Sequence, residues 1–241
     1  MTISDDPGHP RHLHLVGLLT FASGCVDAVT LMAIGGAFTS VITGNLIFTG
    51  RAIGTTALAP ALHALMAVAG YIAGVAVGAR LAHLTGRSAP KAPWPQRATI
   101  VLAVECVLLV AINVVWIGYR ADPPAAAIDA LLVVAAVCLG MQGAAARVID
   151  GTPSTTYMTG ALTTLVEAVC TGRGRHADRS AATGLAALVA GAAAGAVLIV
   201  HAPRAALLPP LAAVLLVVII KGRHHRAERA AGSDQTAGAQ A

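Results

Sequence analysis

The sequence predicts an all-α membrane protein with six transmembrane helices and two short polar segments that re-enter the bilayer, arranged as an inverted-topology repeat. Three observations predict it. The 241 residues are 56% hydrophobic and only 11% charged, whereas a soluble domain carries about 25% charged residues to keep its surface wet. The 16 basic residues are distributed unevenly among the loops between apolar runs. Finally, the motifs of the first half recur in the second at a nearly constant offset.

Eight apolar runs follow one another. The first, 13–34, is too long for the core of a signal peptide, contains Asp27 and lacks an A-x-A-like cleavage site, so it reads as a mature helix. The second, 37–57, is unusually polar for its surroundings, with Thr39, Ser40, Thr43, Asn45 and Thr49. The third, 61–84, carries Gly70-x-x-x-Gly74-x-x-x-Gly78. Small residues at that spacing make a helix-packing face. A nucleotide loop is excluded because no strand precedes it and no Lys-Ser/Thr follows. The fourth, 98–119, is preceded by Trp94 and ends in Trp116 and Tyr119, the placement expected of residues at the two membrane interfaces.

The fifth run, 125–146, contains Gln142. The sixth, 155–170, is again short and polar, with Thr155, Thr156, Thr159, Thr163, Thr164 and Glu167. The seventh, 181–200, carries Gly191 and Gly195, and the eighth, 205–220, holds Pro209 and Pro210, which predict a kink or a late helix start. A spanning helix needs about 20 apolar residues; the second and sixth runs, shorter or more polar than their neighbours, do not read as ordinary spans.

The charges decide between crossing and re-entry. With six crossings, 13 of the 16 basic residues share the face that holds both termini, and only Arg51, Arg120 and Arg204 lie opposite. With eight crossings the split is 10 to 6. Basic residues concentrate in cytoplasmic loops, so six crossings with both termini in the cytoplasm is the expected topology. The net charge of +5 is then a topology signal rather than a nucleic-acid footprint.

The halves correspond. Gly24-x-x-x-Ala28 matches Gly140-x-x-x-Ala144 at an offset of 116 residues, and Thr43-Gly44 matches Thr159-Gly160 at the same offset. Gly74 and Gly78 match Gly191 and Gly195 at 117. With three crossings per half, the second half enters the membrane upside down, the plan of many secondary transporters. The expected organisation is a tail at 1–12, one repeat at 13–119, a second at 125–220, and a disordered tail at 221–241 whose polar, small-residue composition cannot bury a core.

Irregular polar backbone at membrane depth is tolerated only where protein or a water-filled cavity surrounds it. The candidate binding residues are therefore Thr43, Gly44 and Asn45 at the first tip and Thr159 and Gly160 at the second, with the tips expected to meet near the midplane. Asp27, Glu105 and Gln142 join them as ionisable or amide groups inside spans. Asp27 reads equally as a proton or cation site and as a tie between helices. Gln142 and Asn113 read as interhelical glue, Glu105 is a proton-relay candidate, and Arg51 and Glu167 read as interface anchors. Cys25, Cys106, Cys138 and Cys170 form no C-x-x-C pair and read as reduced, buried thiols. No metal or cofactor is expected.

The paired signatures "GCVDAVTLMAIGGAFTSVITGN" (24–45) and "GMQGAAARVIDGTPSTTYMTGALT" (140–163) resemble the YoaK family of bacterial membrane proteins of unknown function, over nearly all of 13–220. The second signature departs from that pattern at Gly143 and Ala161, where the family often has polar residues. The resemblance implies a multi-span inner-membrane protein and supplies no substrate.

The function these residues favour is a small-solute transporter or channel in the bacterial inner membrane, with proton coupling through Asp27 or Glu105 as one form of it. The alternatives are a membrane enzyme on a lipid-soluble substrate, using Asp27 with Glu105 or His63, and a scaffold in which polar residues only fix packing. No G-x-S-x-G, H-E-x-x-H or paired Asp motif is present, so the expectation is no enzyme. The partners expected are the bilayer and an unidentified small solute or ion, with room for a homo-oligomer.

Overall fold

The computed structural model describes residues 10–56, 58–84, 94–149, 158–171 and 175–238. Thr155 and Thr156 lie outside the described residues, as do three of the 13 basic residues placed on the face with the termini, Arg87, Lys91 and Arg173. The described residues contain eight α-helices and no strand: α1 (Pro10–Ala33), α2 (Ile42–Gly54), α3 (Leu58–Leu84), α4 (Gln96–Gly118), α5 (Ala125–Arg147), α6 (Met158–Thr171), α7 (Arg175–His201) and α8 (Leu208–Gly238), with one 3₁₀ turn at Pro203–Ala205 before α8. Six of them, all but α2 and α6, are long and apolar enough to cross a membrane. Large apolar side chains such as Ile47, Leu62, Ile72, Val107 and Val169 are exposed, as they should be where the surrounding solvent is lipid.

The two short helices are the two polar runs. α2 has 13 residues and α6 has 14, so at 1.5 Å per residue they are about 20 Å long, less than the ~30 Å hydrocarbon core.

Close approaches at glycines show how the spans run. A Cβ on Gly70 would meet Val133, on Gly74 Val137, and on Gly78 Met141 and Ala144. These positions advance together, so α3 and α5 are parallel. Likewise Gly191 of α7 lies against Phe21 and Gly195 against Cys25 of α1, so α1 and α7 are parallel. The two pairs run in opposite senses. The turn after α1 puts Gly35 against His63 and Leu132, early in α3 and α5, while Gln142, late in α5, donates to the Leu19 carbonyl in the first half of α1.

The tightest glycine contacts of the two halves fall at corresponding positions. Gly140 lies against the Tyr71 carbonyl and Val75 N, and Gly24 against the Leu188 carbonyl and Ala192 N; each partner in the first set is 116 or 117 residues from its counterpart in the second. The first helix of each half therefore packs along the third helix of the other, α1 on α7 and α5 on α3, while α2 rests on α3 and α6 on α7. A methyl group at these glycines has no room beside a neighbouring backbone, which is why small residues set the crossings.

α8 starts late, as its two prolines predict, at Leu208, with Pro209 and Pro210 in its first turn, where their missing N–H groups cost nothing. The ends depart from the sequence expectations in three other respects. α8 continues to Gly238, through most of the tail expected to be disordered. Ala and Arg there are strong helix formers, and Arg229 donates to Gln96 Oε1 at 2.6 Å. The two tryptophans turn inward instead of lying at the lipid interface. Trp94 and Trp116 are buried, and Trp116 Nε1 donates to the Pro203 carbonyl at 2.8 Å. Cys25, Cys106 and Cys138 are free and buried as expected, but Cys170 is exposed.

Candidate functional site

The polar groups of 24–45 form one knot. α1 ends when Gly35 and Gly36 take left-handed φ of 80° and 66° and the Ile34 and Gly36 amides both bond to the Thr30 carbonyl. The chain then doubles back along α1. Asp27 Oδ1 accepts from Thr39 N at 2.7 Å, Thr39 Oγ1 at 2.9 Å and Ser40 N at 2.9 Å, and the Ser40 hydroxyl donates to Oδ2. One turn deeper, Ser23 Oγ donates to Ser40 Oγ at 3.2 Å. Ser23 lies ten residues before the end of α1, so the 34–41 strap runs about 15 Å back along the helix axis before α2 begins.

The Thr-Gly-Asn sequence completes that turn. Asn45 is fully buried. Its Oδ1 accepts from Phe38 N at 3.0 Å and its Nδ2 donates to Phe38 O at 2.6 Å, satisfying both backbone groups of a residue outside any helix. Gly44 leaves space for the Phe38 ring, whose nearest atom is 3.3 Å from where a Cβ would lie, and Phe38 stacks on Phe48 with centroids 5.8 Å apart. Thr43 is exposed.

At the second tip Thr159 is exposed and Gly160 half-buried. α2 and α6 do not pack extensively on one another among the described residues; each lies on the third helix of its own half. The structure thus does not gather Thr43 and Thr159 into a common site. The position matching Asp27 is Gly143, and the one matching Asn45 is Ala161, so the second half lacks the carboxylate and the amide that fasten the first.

Glu105 is different. It lies in α4 at 0% exposure, and neither carboxylate oxygen has a hydrogen-bond partner. Its neighbours on α4 are Leu102, Cys106 and Leu109, all buried. Cys138 of α5 is within electrostatic reach, and Gln142 follows it by one turn on the same face. Gln142 Nε2 donates to the Leu19 carbonyl at 2.7 Å, while Gln142 Oε1 is buried and unpartnered. Two turns beyond Glu105, Asn113 Nδ2 donates to the Leu109 and Leu207 carbonyls at 2.9 and 3.0 Å, and its Oδ1 is also unpartnered. Both amides are glue between helices, each with an acceptor to spare.

The remaining candidates are peripheral. Arg51 is exposed, 5.9 Å from the Phe48 ring, and Glu167 is exposed on α6. His63 is 3.0 Å from Asp129 across the α3–α5 contact, a tie the sequence reading missed because the two residues are 66 positions apart. Among the described residues no group of three His, Cys, Asp or Glu side chains could hold a metal ion.

Comparison with known proteins fits this picture. The family model for a protein of unknown function (DUF1275) matches residues 15–220. The UPF0700 transmembrane protein YoaK of Bacillus subtilis (strain 168) is 31% identical over 154 residues, which are 64% of this chain and 65% of that relative. No solved structure matches. With a family match over most of its length and six helices able to span a bilayer, the chain is a multi-pass membrane protein that belongs to the DUF1275 family.

Proposed function

We propose that this chain is a small-solute transporter or channel of the bacterial inner membrane, with both termini in the cytoplasm, and that Glu105 rather than Asp27 supplies its ionisable group. The observation that carries this reading is the state of the two carboxylates. All four donors around Asp27 come from the strap it fastens. Glu105 fastens nothing: a buried carboxyl group without a partner is costly in an apolar interior, and ionisable groups inside spans mark ion and proton paths.

Two further features support it. The opposed helix directions and the matched glycine contacts support an inverted repeat, a plan in which one half rocks against the other around a midplane site. The 13 to 3 distribution of basic residues supports cytoplasmic termini. On this reading the protein is no enzyme. Its ligand is a small solute or ion, and a homo-oligomer is compatible with it.

The test is purified protein in liposomes loaded with a pH-sensitive dye, screened against panels of amino acids, sugars, small acids and cations. A solute that moves protons in wild type and not in Glu105→Gln supports the proposal. A solute moved with equal proton coupling by both forms removes Glu105 from it.

A further inference from the structure

We infer that the basic end of α8, packed against the start of α4, is a binding site for a phosphate-type anion, the headgroup of an acidic phospholipid being the source its position favours. This rests on the pocket and not on the transport reading. The pocket has a volume of about 220 Å³ and is lined by Gln96, Thr99, Gly222, His225, Arg226 and Arg229, with the apolar Ile100 and Ala103 on the membrane side. Among the described residues no carboxylate lines it.

The chemistry fits such a headgroup. Arg226 and Arg229 are three residues apart, hence on one face of α8, and guanidinium groups bind phosphate through paired N–H donors. The Thr99 hydroxyl and His225 Nε2 lie 3.3 Å apart at the pocket wall. The first-turn amides of α4 add partial positive charge at the same end.

The depth fits as well. The span of α4 begins at Gln96 and that of α8 ends at Ala227, so the pocket sits where headgroups meet the acyl region. Beneath it, Trp94 donates to Thr99 Oγ1 at 3.2 Å, and Lys221 Nζ lies 4.9 Å from the Trp94 ring centroid. This pair braces the two helices whose ends form the pocket. With the termini in the cytoplasm, as proposed above, the pocket lies on the side where basic pockets between helices suit acidic lipid headgroups.

The experiment uses the full chain in phosphatidylcholine nanodiscs with or without phosphatidylglycerol, and inorganic phosphate as a separate probe. Retained lipid is counted by native mass spectrometry, and thermal midpoints are measured in parallel. Three forms are compared: wild type, R226Q/R229Q, and R80Q/R147Q, which removes the same charge from exposed positions outside the pocket. With about 1.5 kcal/mol for each charge-assisted hydrogen bond to the headgroup, R226Q/R229Q should weaken phosphatidylglycerol retention about 150-fold while R80Q/R147Q leaves it nearly unchanged. Stabilisation of wild type but not R226Q/R229Q by inorganic phosphate in pure phosphatidylcholine would support the anion site with free phosphate as its source. Equal weakening in both double variants would reduce the effect to general surface charge and overturn the proposal, as would equal retention by all three forms.

Discussion

Replacing Asp27 separates charge from fastening. In Asp27→Leu the strap loses its acceptor. The amides of Thr39 and Ser40, both on buried residues, are left without a partner; the two hydroxyls can turn elsewhere, but the amides cannot. An unpaired buried backbone donor costs about 1–3 kcal/mol, so the loss is roughly 2–6 kcal/mol. In Asp27→Asn the amide oxygen can take the place of Oδ1 and keep its three bonds, and the Ser40 hydroxyl can accept from the new NH₂ group. The weaker neutral hydrogen bonds are partly offset by the smaller cost of burying a neutral group, leaving about 1 kcal/mol. At about 2–4 °C per kcal/mol for a chain of this size, Asn should lower the melting midpoint by no more than ~4 °C and Leu by roughly 4–24 °C. The assay is thermal unfolding of detergent-purified protein followed by fluorescence-detected size exclusion. If Leu melts with wild type, the four contacts carry no stability and the strap argument fails. If Asn falls as far as Leu, the negative charge itself is required and Asp27 returns as an ion-site candidate.

Glu105→Met should raise the melting midpoint, because it replaces an unpartnered buried carboxyl with an apolar side chain of similar length among Leu102, Cys106 and Leu109. The expected gain is about 1–3 kcal/mol, and a fall would show that the carboxyl has a stabilising partner. Gly74→Ala and Gly191→Ala should each destabilise the protein, since the added methyl meets the Val137 or Phe21 backbone; Gly184→Ala, with open space beside it, should be neutral, and equal melting of all three would refute the close-packing account. Periplasm-only reporters fused to either terminus should be inactive and cytoplasmic reporters active; the reverse at either end rules out the six-crossing topology with cytoplasmic termini.

Much of the fold was legible because lipid imposes simple rules. Long apolar runs with few polar interruptions read as spans, so most of the six long helices follow from length and composition. The pattern of small residues also pointed to the right surfaces, since Gly74, Gly140, Gly24 and Gly191 sit at the tightest crossings. The site was harder to read. Asp27 is polar for the sake of Thr39 and Ser40, but a sequence does not state that the chain doubles back to bring them together. Trp94 and Trp116 lay at segment ends, as interface residues do, yet which way a ring turns depends on the neighbouring helix. The α8 extension and its basic pocket were hidden because composition alone does not separate a solvated tail from a helix held by Gln96 and Thr99.

The central claim is that the region around Glu105 belongs to a path that opens to water. Cys138, within electrostatic reach of Glu105 and fully buried, is a native probe of it. The measurement is modification of Cys138 by a water-soluble, membrane-impermeant thiol reagent in sealed liposomes, with Cys25, Cys106 and Cys170 replaced by Ala. The account predicts slow but complete labelling of the native protein, faster than global unfolding allows. Labelling that occurs only on denaturation would describe a permanently dry bundle and contradict the transport reading.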